Sequence, residues 1–186
     1  MKFTIFALAL ASTLVPAIYG SPATSGTDFT CEDQQVVSTS YIGEAQNVKS
    51  EIVTCSNTPK APTSLVSQAV PVNVCGATCT TNCFTPSGGG PDPNDCQVIA
   101  DALLYDSQNV GALFNITAAT SGVVMQYQSC ETFFIDQASY NLTYCRTDWS
   151  SLVNYIAFNC QATQNAHGGN CVASDQTWFV QVQTST

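Results

Sequence analysis

An apolar leader followed by ten cysteines is the feature that most constrains how this chain can fold. Lys2 precedes an apolar run over residues 3–18, and the small residues Gly20 and Ser21 come shortly after it. This pattern is typical of a secretory signal peptide, which we assign to residues 1–20. The run is too short for a membrane span, and no later stretch approaches that length. We therefore expect a secreted, extracellular protein.

An even number of cysteines in a secreted chain predicts a disulfide framework. The ten predicted disulfide cysteines are Cys31, Cys55, Cys75, Cys79, Cys83, Cys96, Cys130, Cys145, Cys160 and Cys171. Spacing alone leaves their pairing open, although a hairpin closed by Cys31–Cys55 is the simplest arrangement for the first two. The spacing of the next three could suggest metal ligands, but the even count and the single histidine favour disulfides. We predict no metal and no cofactor.

Charged residues are scarce and mostly acidic. Lysine plus arginine is 4, aspartate plus glutamate is 13, and the formal net charge is −9. Phosphate backbones and anionic membranes are bound by clustered Lys and Arg, so neither nucleic acid nor a membrane surface is an expected partner. A mostly neutral polar surface suits hydrogen bonding to sugars, although the same composition also serves solubility alone.

Two N-glycosylation sequons are present, Asn115-Ile116-Thr117 and Asn141-Leu142-Thr143. In a secreted chain both are acceptor sites, which predicts that both asparagines lie on the surface and carry glycans.

We divide the chain after the leader into two parts. Residues 21–73 form an N-terminal extension, with a hairpin of strands at 35–42 and 50–55 and a linker rich in Pro, Ser and Thr at 56–73. Residues 74–186 contain the other eight cysteines and form the main domain.

Two helices are predicted in the main domain. Asp92 is a natural N-cap, Pro93 suits the first helical position, and an apolar stripe continues to an end near Asp106. The second helix begins with Thr147 as N-cap, and its stripe runs from Trp149 to Cys160. Strands are predicted at 110–117, 123–130, 131–136 and 176–183, with a loop at 165–170. This order predicts an α+β fold, an antiparallel sheet with two helices on one face (an α/β sandwich), stapled by disulfides.

Alternation along the strands predicts which face meets the helices. Trp178, Val180 and Val182 share one side of the last strand, and Val123, Met125 and Tyr127 share one side of an earlier strand. The opposite face is then rich in amides, and its residues Gln126, Gln128, Phe179, Gln181 and Gln183 are the first candidate ligand-binding set. Asn165 and His167, in the loop, are the second. The other interpretation of the amide face is an ordinary solvated surface.

Catalysis has weak support in the sequence. His167 is the single histidine, and the Gly-x-Ser-x-Gly motif of serine hydrolases does not occur. Carboxylate pairs can hydrolyse glycosides, but nothing selects a pair among the candidates Asp92, Asp95, Asp101, Asp106, Glu131, Asp136, Asp148 and Asp175. We predict that the protein is not an enzyme, with a small secreted hydrolase as an alternative.

Four stretches carry a resemblance to a known family. They are Gly88-Gly89-Gly90-Pro91-Asp92-Pro93-Asn94-Asp95-Cys96, Ser129-Cys130-Glu131-Thr132-Phe133-Phe134, Tyr144-Cys145-Arg146-Thr147-Asp148-Trp149 and Asn165-Ala166-His167-Gly168-Gly169-Asn170-Cys171. Over residues 74–186 the chain resembles the small cysteine-rich glycan-binding proteins secreted by mushrooms. The resemblance implies an α/β sandwich with four disulfides, a homodimer formed through the β-sheet, and lectin-like recognition of glycans or glycoproteins without catalysis, in fungal defence or cell-surface recognition.

A second resemblance leaves an alternative open. Fungal killer-toxin-like effectors share a cysteine-stapled helix-and-sheet domain with an Asp-Cys pair in the first helix. That resemblance implies a toxin-like effector that binds a protein partner.

Overall fold

The computed structural model describes residues 28–60 and 70–185. The predicted signal peptide and the centre of the predicted linker lie outside these ranges. The strands are β1 Gln35–Ile42, β2 Val48–Thr54, β3 Val72–Asn73, β4 Cys79–Cys83, β5 Leu113–Ile116, β6 Gly122–Tyr127, β7 Cys130–Asp136, β8 Leu142–Cys145, β9 Gly169–Ala173 and β10 Trp178–Thr184. The α-helices are α1 Pro93–Asn109 and α2 Arg146–Asn159, and a short 3-10 helix spans Ala162–Gln164.

Seven strands form one large sheet in the order β1-β2-β6-β7-β10-β9-β4, and every neighbouring pair in it is antiparallel. A smaller sheet has the order β3-β8-β5. The two helices pack against each other, and each of them packs against the large sheet. The predicted α+β class, with a large antiparallel sheet and two helices, is confirmed.

Helix α1 begins where the sequence predicts. The backbone N–H of Asn94 donates to Asp92 Oδ1 at 2.9 Å, and Pro93 occupies the first turn. The helix ends at Asn109 rather than near Asp106.

Helix α2 begins earlier than predicted, so the assignment of Thr147 as its N-cap is wrong. Cys145 is the N-cap residue, has an extended backbone and makes no side-chain cap. Cys145 is the last residue of β8 and is fixed by its disulfide to Cys75. The next residue, Arg146, donates its N–H to Ala112 O at 2.9 Å. The helix therefore begins where β8 ends, and no capping pattern in the sequence indicates this position.

The main core lies between the helices and one face of the large sheet. Members of both helical stripes pack there, for example Ile99 and Leu103 of α1 and Trp149 of α2. The sheet residues of this core include Val123, Met125, Tyr127, Phe134, Trp178, Val180 and Val182, so the residues predicted to face the helices do so.

All ten cysteines are paired, as predicted. The bonds are Cys31–Cys55, Cys75–Cys145, Cys79–Cys171, Cys83–Cys160 and Cys96–Cys130. Five disulfides are typical of an extracellular protein. Within residues 28–60 and 70–185, neither helix has the length and hydropathy needed to cross a bilayer.

The predicted hairpin of the extension forms, but it continues the main sheet. Strand β2 pairs with β6, from Lys49 opposite Gln126 to Val53 opposite Gly122. The Gly43 N–H in the hairpin turn also donates to the buried Asp106 of α1 at 3.1 Å. The two parts of the chain on either side of residue 74 therefore contribute strands to the same sheet.

The four strands that the sequence did not predict are β3, β4, β8 and β9. Residues Gly169 and Asn170, predicted as loop, begin β9, which pairs with β10 on one side and β4 on the other. Strand β4 is the Cys79–Cys83 segment itself. The small and polar residues of β4 and β9 carry little strand signal, and long-range pairing supplies the order instead.

Candidate functional site

The face of the large sheet that points away from the helices carries most of the predicted amide-rich surface. On the three central strands this open face consists of Gly122, Val124, Gln126, Glu131, Phe133, Ile135, Phe179, Gln181 and Gln183. The register places Gln126 opposite Glu131 and Glu131 opposite Gln183. Because directly paired residues of antiparallel strands point to the same side, these three side chains form one polar row.

Glu131 is the centre of this polar row. Its Oε2 accepts from Gln126 Nε2 at 2.5 Å, and its Oε1 accepts from Gln183 Nε2 at 2.8 Å. Gln181 extends the network, because its Nε2 donates to Gln183 Oε1 at 2.6 Å. Glu131 is 9 % exposed. The row therefore holds a largely buried carboxyl group between two amides.

A second apolar cluster occupies the rest of the open face. Its buried members are Val53, Val124, Phe133, Ile135 and Phe179. Apolar side chains on an outer sheet face are stable only when another segment shields them from water. Residues 28–31, which we call the N-terminal strap, cover them here. The ring of Phe29 meets those of Phe133 and Phe179 edge to face, at centroid distances of 5.9 and 5.6 Å.

The strap is also held by hydrogen bonds from a sheet side chain. The Phe29 N–H donates to Gln181 Oε1 at 2.9 Å, and Gln181 Nε2 donates to Phe29 O at 3.0 Å. One amide thus pairs with both backbone groups of one residue. The strap leaves Phe179 and Gln181 with 0 % exposure.

A cleft remains between the strap and the sheet. It has a volume of about 140 Å³ and is lined by Phe29, Thr30, Cys31, Gln34, Val124, Gln126, Glu131, Phe133, Ile135 and Gln183. Its floor is apolar, at Val124, Phe133 and Ile135, and the Glu131 row provides the polar groups. We call it the open-face cleft. An apolar floor next to a few converging polar groups is a combination that occurs in small-ligand sites.

The structure divides the first predicted set of site residues. Gln126 and Gln183 line the open-face cleft, whereas Phe179 and Gln181 lie beneath the strap. Gln128 leaves the face altogether, because it lies in the turn between β6 and β7 with a φ of 48° and donates to the hydroxyl of Tyr127. Its predicted place on the amide face is wrong, since the strand ends one residue earlier.

The second predicted set, Asn165 and His167, lies at a different cleft. Asn165 Oδ1 accepts from the Ser87 N–H at 3.2 Å, and His167 Nδ1 lies 2.5 Å from Pro86 O. These bonds fasten the loop to the triple-glycine segment. The adjoining cleft of about 260 Å³ is lined by Gly88, Gly89, Gly90, Pro91, Cys160, Gln161, Ala162 and Ala166. This lining offers no charged side chain, and we favour the open-face cleft.

One group of side chains has metal-like spacing. Cys75, Cys145 and Asp148 bring their ligand atoms close together. The two sulfur atoms are bonded to each other, so neither is available as a thiolate ligand. Asp148 instead accepts from the Gly76 N–H at 2.7 Å.

The two sequons are cross-strand neighbours in the smaller sheet. Asn115 of β5 lies opposite Thr143 of β8, and the Thr143 hydroxyl donates to Asn115 Oδ1 at 2.6 Å. Asn115 is exposed, whereas Asn141 is half-buried and accepts from the Ala118 N–H. Neither asparagine belongs to the open face, and their glycosylation stays a prediction.

Two residues of the cleft were missed as ligand-binding candidates. Glu131 was weighed only as one of eight carboxylates, although its alternation with Phe133 and Ile135 places it on the open face. Phe29 lies in the stretch of the extension before the hairpin, and its hydrogen bonds to Gln181 span 152 residues of sequence. A single aromatic residue in a polar stretch was the one available signal for the strap.

Replacing Phe29 by alanine is expected to lower the free energy of unfolding by about 2 kcal/mol, because it removes the aromatic cover of a buried apolar cluster. Denaturant titration measures the loss. Thr30→Ala is the matched control, since it changes an exposed neighbour and keeps the backbone bonds. Equal losses in both variants would show that the ring contributes little.

No family model matches this chain, and no curated protein is significantly similar to it. The mushroom-protein resemblance therefore stays an expectation, and function must be inferred from the site.

Proposed function

We propose that the protein is a secreted, lectin-like module that binds a glycan in the open-face cleft without turning it over. The observation that carries this proposal is the composition of the cleft, with an apolar floor next to a fixed row of amide and carboxyl groups. A sugar ring presents both an apolar face of C–H groups and hydroxyl groups that donate and accept hydrogen bonds. Both kinds of lining therefore have a counterpart on the ligand.

The polar row suits hydroxyl groups for a specific reason. Gln126 and Gln183 are held in place by Glu131, so they lose little side-chain freedom when a ligand binds. Each amide still has a further N–H available by its chemistry, and a carboxylate has about four acceptor positions. A preorganised row of this kind can fix the orientation of a polyhydroxyl ligand.

Glycoside hydrolysis is a less suitable use of the same cleft. The usual mechanism requires two carboxyl groups across the scissile bond. Glu131 is the one carboxyl-bearing residue in the described lining. Binding without turnover requires no second group, and we therefore favour it.

A glycan array probed with the folded, oxidised protein tests the proposal. We expect selective binding that Gln126→Ala or Gln183→Ala weakens about tenfold, which is the loss of one or two hydrogen bonds. Gln97→Ala, on the exposed side of α1, is the matched control and keeps wild-type binding. His167→Ala reports on the second cleft.

Each result of the array has a defined meaning. Binding lost in His167→Ala but kept in Gln126→Ala and Gln183→Ala would move the site to the 165–170 loop. Selective binding together with release of reducing sugar would contradict a non-catalytic role. No binding by a folded protein would favour the effector alternative and a search for a protein partner. The predicted homodimer is a separate proposal, tested by sedimentation.

A further inference from the structure

We propose that the open-face cleft selects glycans with a free amino group, and that Glu131 binds the ammonium of a 2-amino-2-deoxy sugar. This inference rests on the proposed glycan-binding function and names its ligand class. Its starting point is charge, because Glu131 is the single charged residue in a lining that is otherwise amide, hydroxyl, disulfide and apolar.

Glu131 has no cationic partner among the described residues. Both of its oxygen atoms accept from neutral amides, those of Gln126 and Gln183. Lys49 lies in the same cross-strand row, next to Gln126, but its Nζ is 2.8 Å from Glu51 Oε1. The nearby cation is thus already paired with another acid.

A buried carboxyl group without a cation is costly, and neutral hydrogen bonds offset only part of that cost. Glu131 lines the open-face cleft and is 9 % exposed, so a ligand that enters the cleft can reach a carboxyl group that is mostly covered by protein. A ligand cation placed there would replace weak solvation by a charge-assisted bond. The polar row is therefore more complementary to an ammonium than to a neutral group.

The two common forms of a 2-amino-2-deoxy sugar, the free amine and the N-acetyl form, differ at the nitrogen atom on C2. A free ammonium presents three N–H donors and a positive charge, and all three are compatible with carboxyl and amide oxygens. An N-acetyl group presents one N–H donor and adds a carbonyl oxygen, which a carboxylate repels. The sugar ring is the same in both, so the apolar floor cannot distinguish them. Selection between the two forms must then come from the Glu131 row.

Calorimetric titration with short, fully deacetylated and fully N-acetylated oligomers of the same amino sugar tests this inference. In mildly acidic buffer, where the amine is protonated, we expect wild-type protein to prefer the free amine about ten- to hundredfold. Glu131→Gln should bring the two affinities together. Asp101→Asn, an exposed change on α1 that removes the same charge, should keep the preference. This control distinguishes a specific contact with Glu131 from general electrostatic attraction of the ammonium to a chain of net charge −9.

The outcomes distinguish this inference from the proposed function. Equal binding of both oligomers by wild-type protein would overturn the inference and leave glycan binding intact, and that comparison needs no variant to fold. An unchanged preference in folded Glu131→Gln would also overturn it. A short lysine peptide that binds as tightly as the amino sugar would reject the glycan class. Binding of neither oligomer, together with an empty array, would instead count against the proposed function.

Discussion

Replacing Cys79 and Cys171 together by alanine is expected to lower the free energy of unfolding by about 3 kcal/mol. This disulfide joins the edge strand β4 to β9. Because Cys83–Cys160 stays intact, the loop that it closes in the unfolded chain runs through residues 79–83 and 160–171, about 17 residues. Closing such a loop removes conformational entropy from the unfolded chain. Denaturant unfolding of the oxidised proteins, read by far-UV circular dichroism, measures the difference.

The matched control is the disulfide of the N-terminal hairpin. Cys31–Cys55 closes a separation of 24 residues that no other disulfide shortens, so the same double replacement there should cost about 3.5 kcal/mol, slightly more than for Cys79–Cys171. A much larger loss for Cys79–Cys171 would contradict the loop-length argument. It would indicate that this disulfide stabilises the edge strand through native contacts.

Asp136→Asn is expected to stabilise the protein above neutral pH and to change little in acid. Asp136 has 0 % exposure at the end of β7, and burial raises its pKa from 3.8 to about 7. The Ala138 N–H, which donates to Oδ1 at 2.7 Å, and the charge of Lys60 lower this pKa in part. Oδ2 has no hydrogen-bond partner among the described residues. The folded protein therefore favours the neutral acid.

The sign of the pH dependence follows from which state holds the proton. Between pH 3.8 and about 7 the unfolded chain has lost this proton and the folded chain keeps it. The contribution to stability is complete below pH 3.8 and is lost as pH rises to about 7, a change on the order of 3–4 kcal/mol. Asparagine resembles the neutral acid, so the variant should lack this loss.

Thermal denaturation of wild type and variant across this pH range measures the effect. The two melting temperatures should agree near pH 4 and diverge as pH rises, with the variant higher. Asp101→Asn, on the exposed side of α1, should follow the wild-type profile. Parallel profiles for wild type and Asp136→Asn would show that Asp136 ionises at its ordinary pKa.

Local patterns in the sequence predicted those parts of the fold that local physics determines. Asp92 and Pro93 specify the start of α1 through a cap and a fixed φ, and alternation in β10 separates Trp178 from Phe179. Both signals lie within a few residues of the structure they predict. Strands β4 and β9 have no such signal, because they are ordered by pairing with distant strands.

The candidate site was predicted in part for the same reason. Gln126 and Gln183 were assigned to the correct face, since alternation reports faces directly. Alternation does not show which other segment covers a face, so it could not predict that Gln181 is buried beneath Phe29. The turn at Gln128 separates two strands, and alternation within each strand does not show which of their faces coincide. Glu131 lies at the start of the second strand, so its place opposite Gln126 could not be predicted.

The disulfide connectivity has a consequence for processing of the chain. Cys31–Cys55 joins the strap to the residue after β2, and the other four bonds join residues between 75 and 171. No disulfide therefore crosses residues 61–69. A protease cut in that interval would yield a two-chain protein whose smaller chain, with the strap, is retained by the β2–β6 ladder and the contacts of Phe29. Denaturation without any reducing agent would then separate the strap from the cleft it lines.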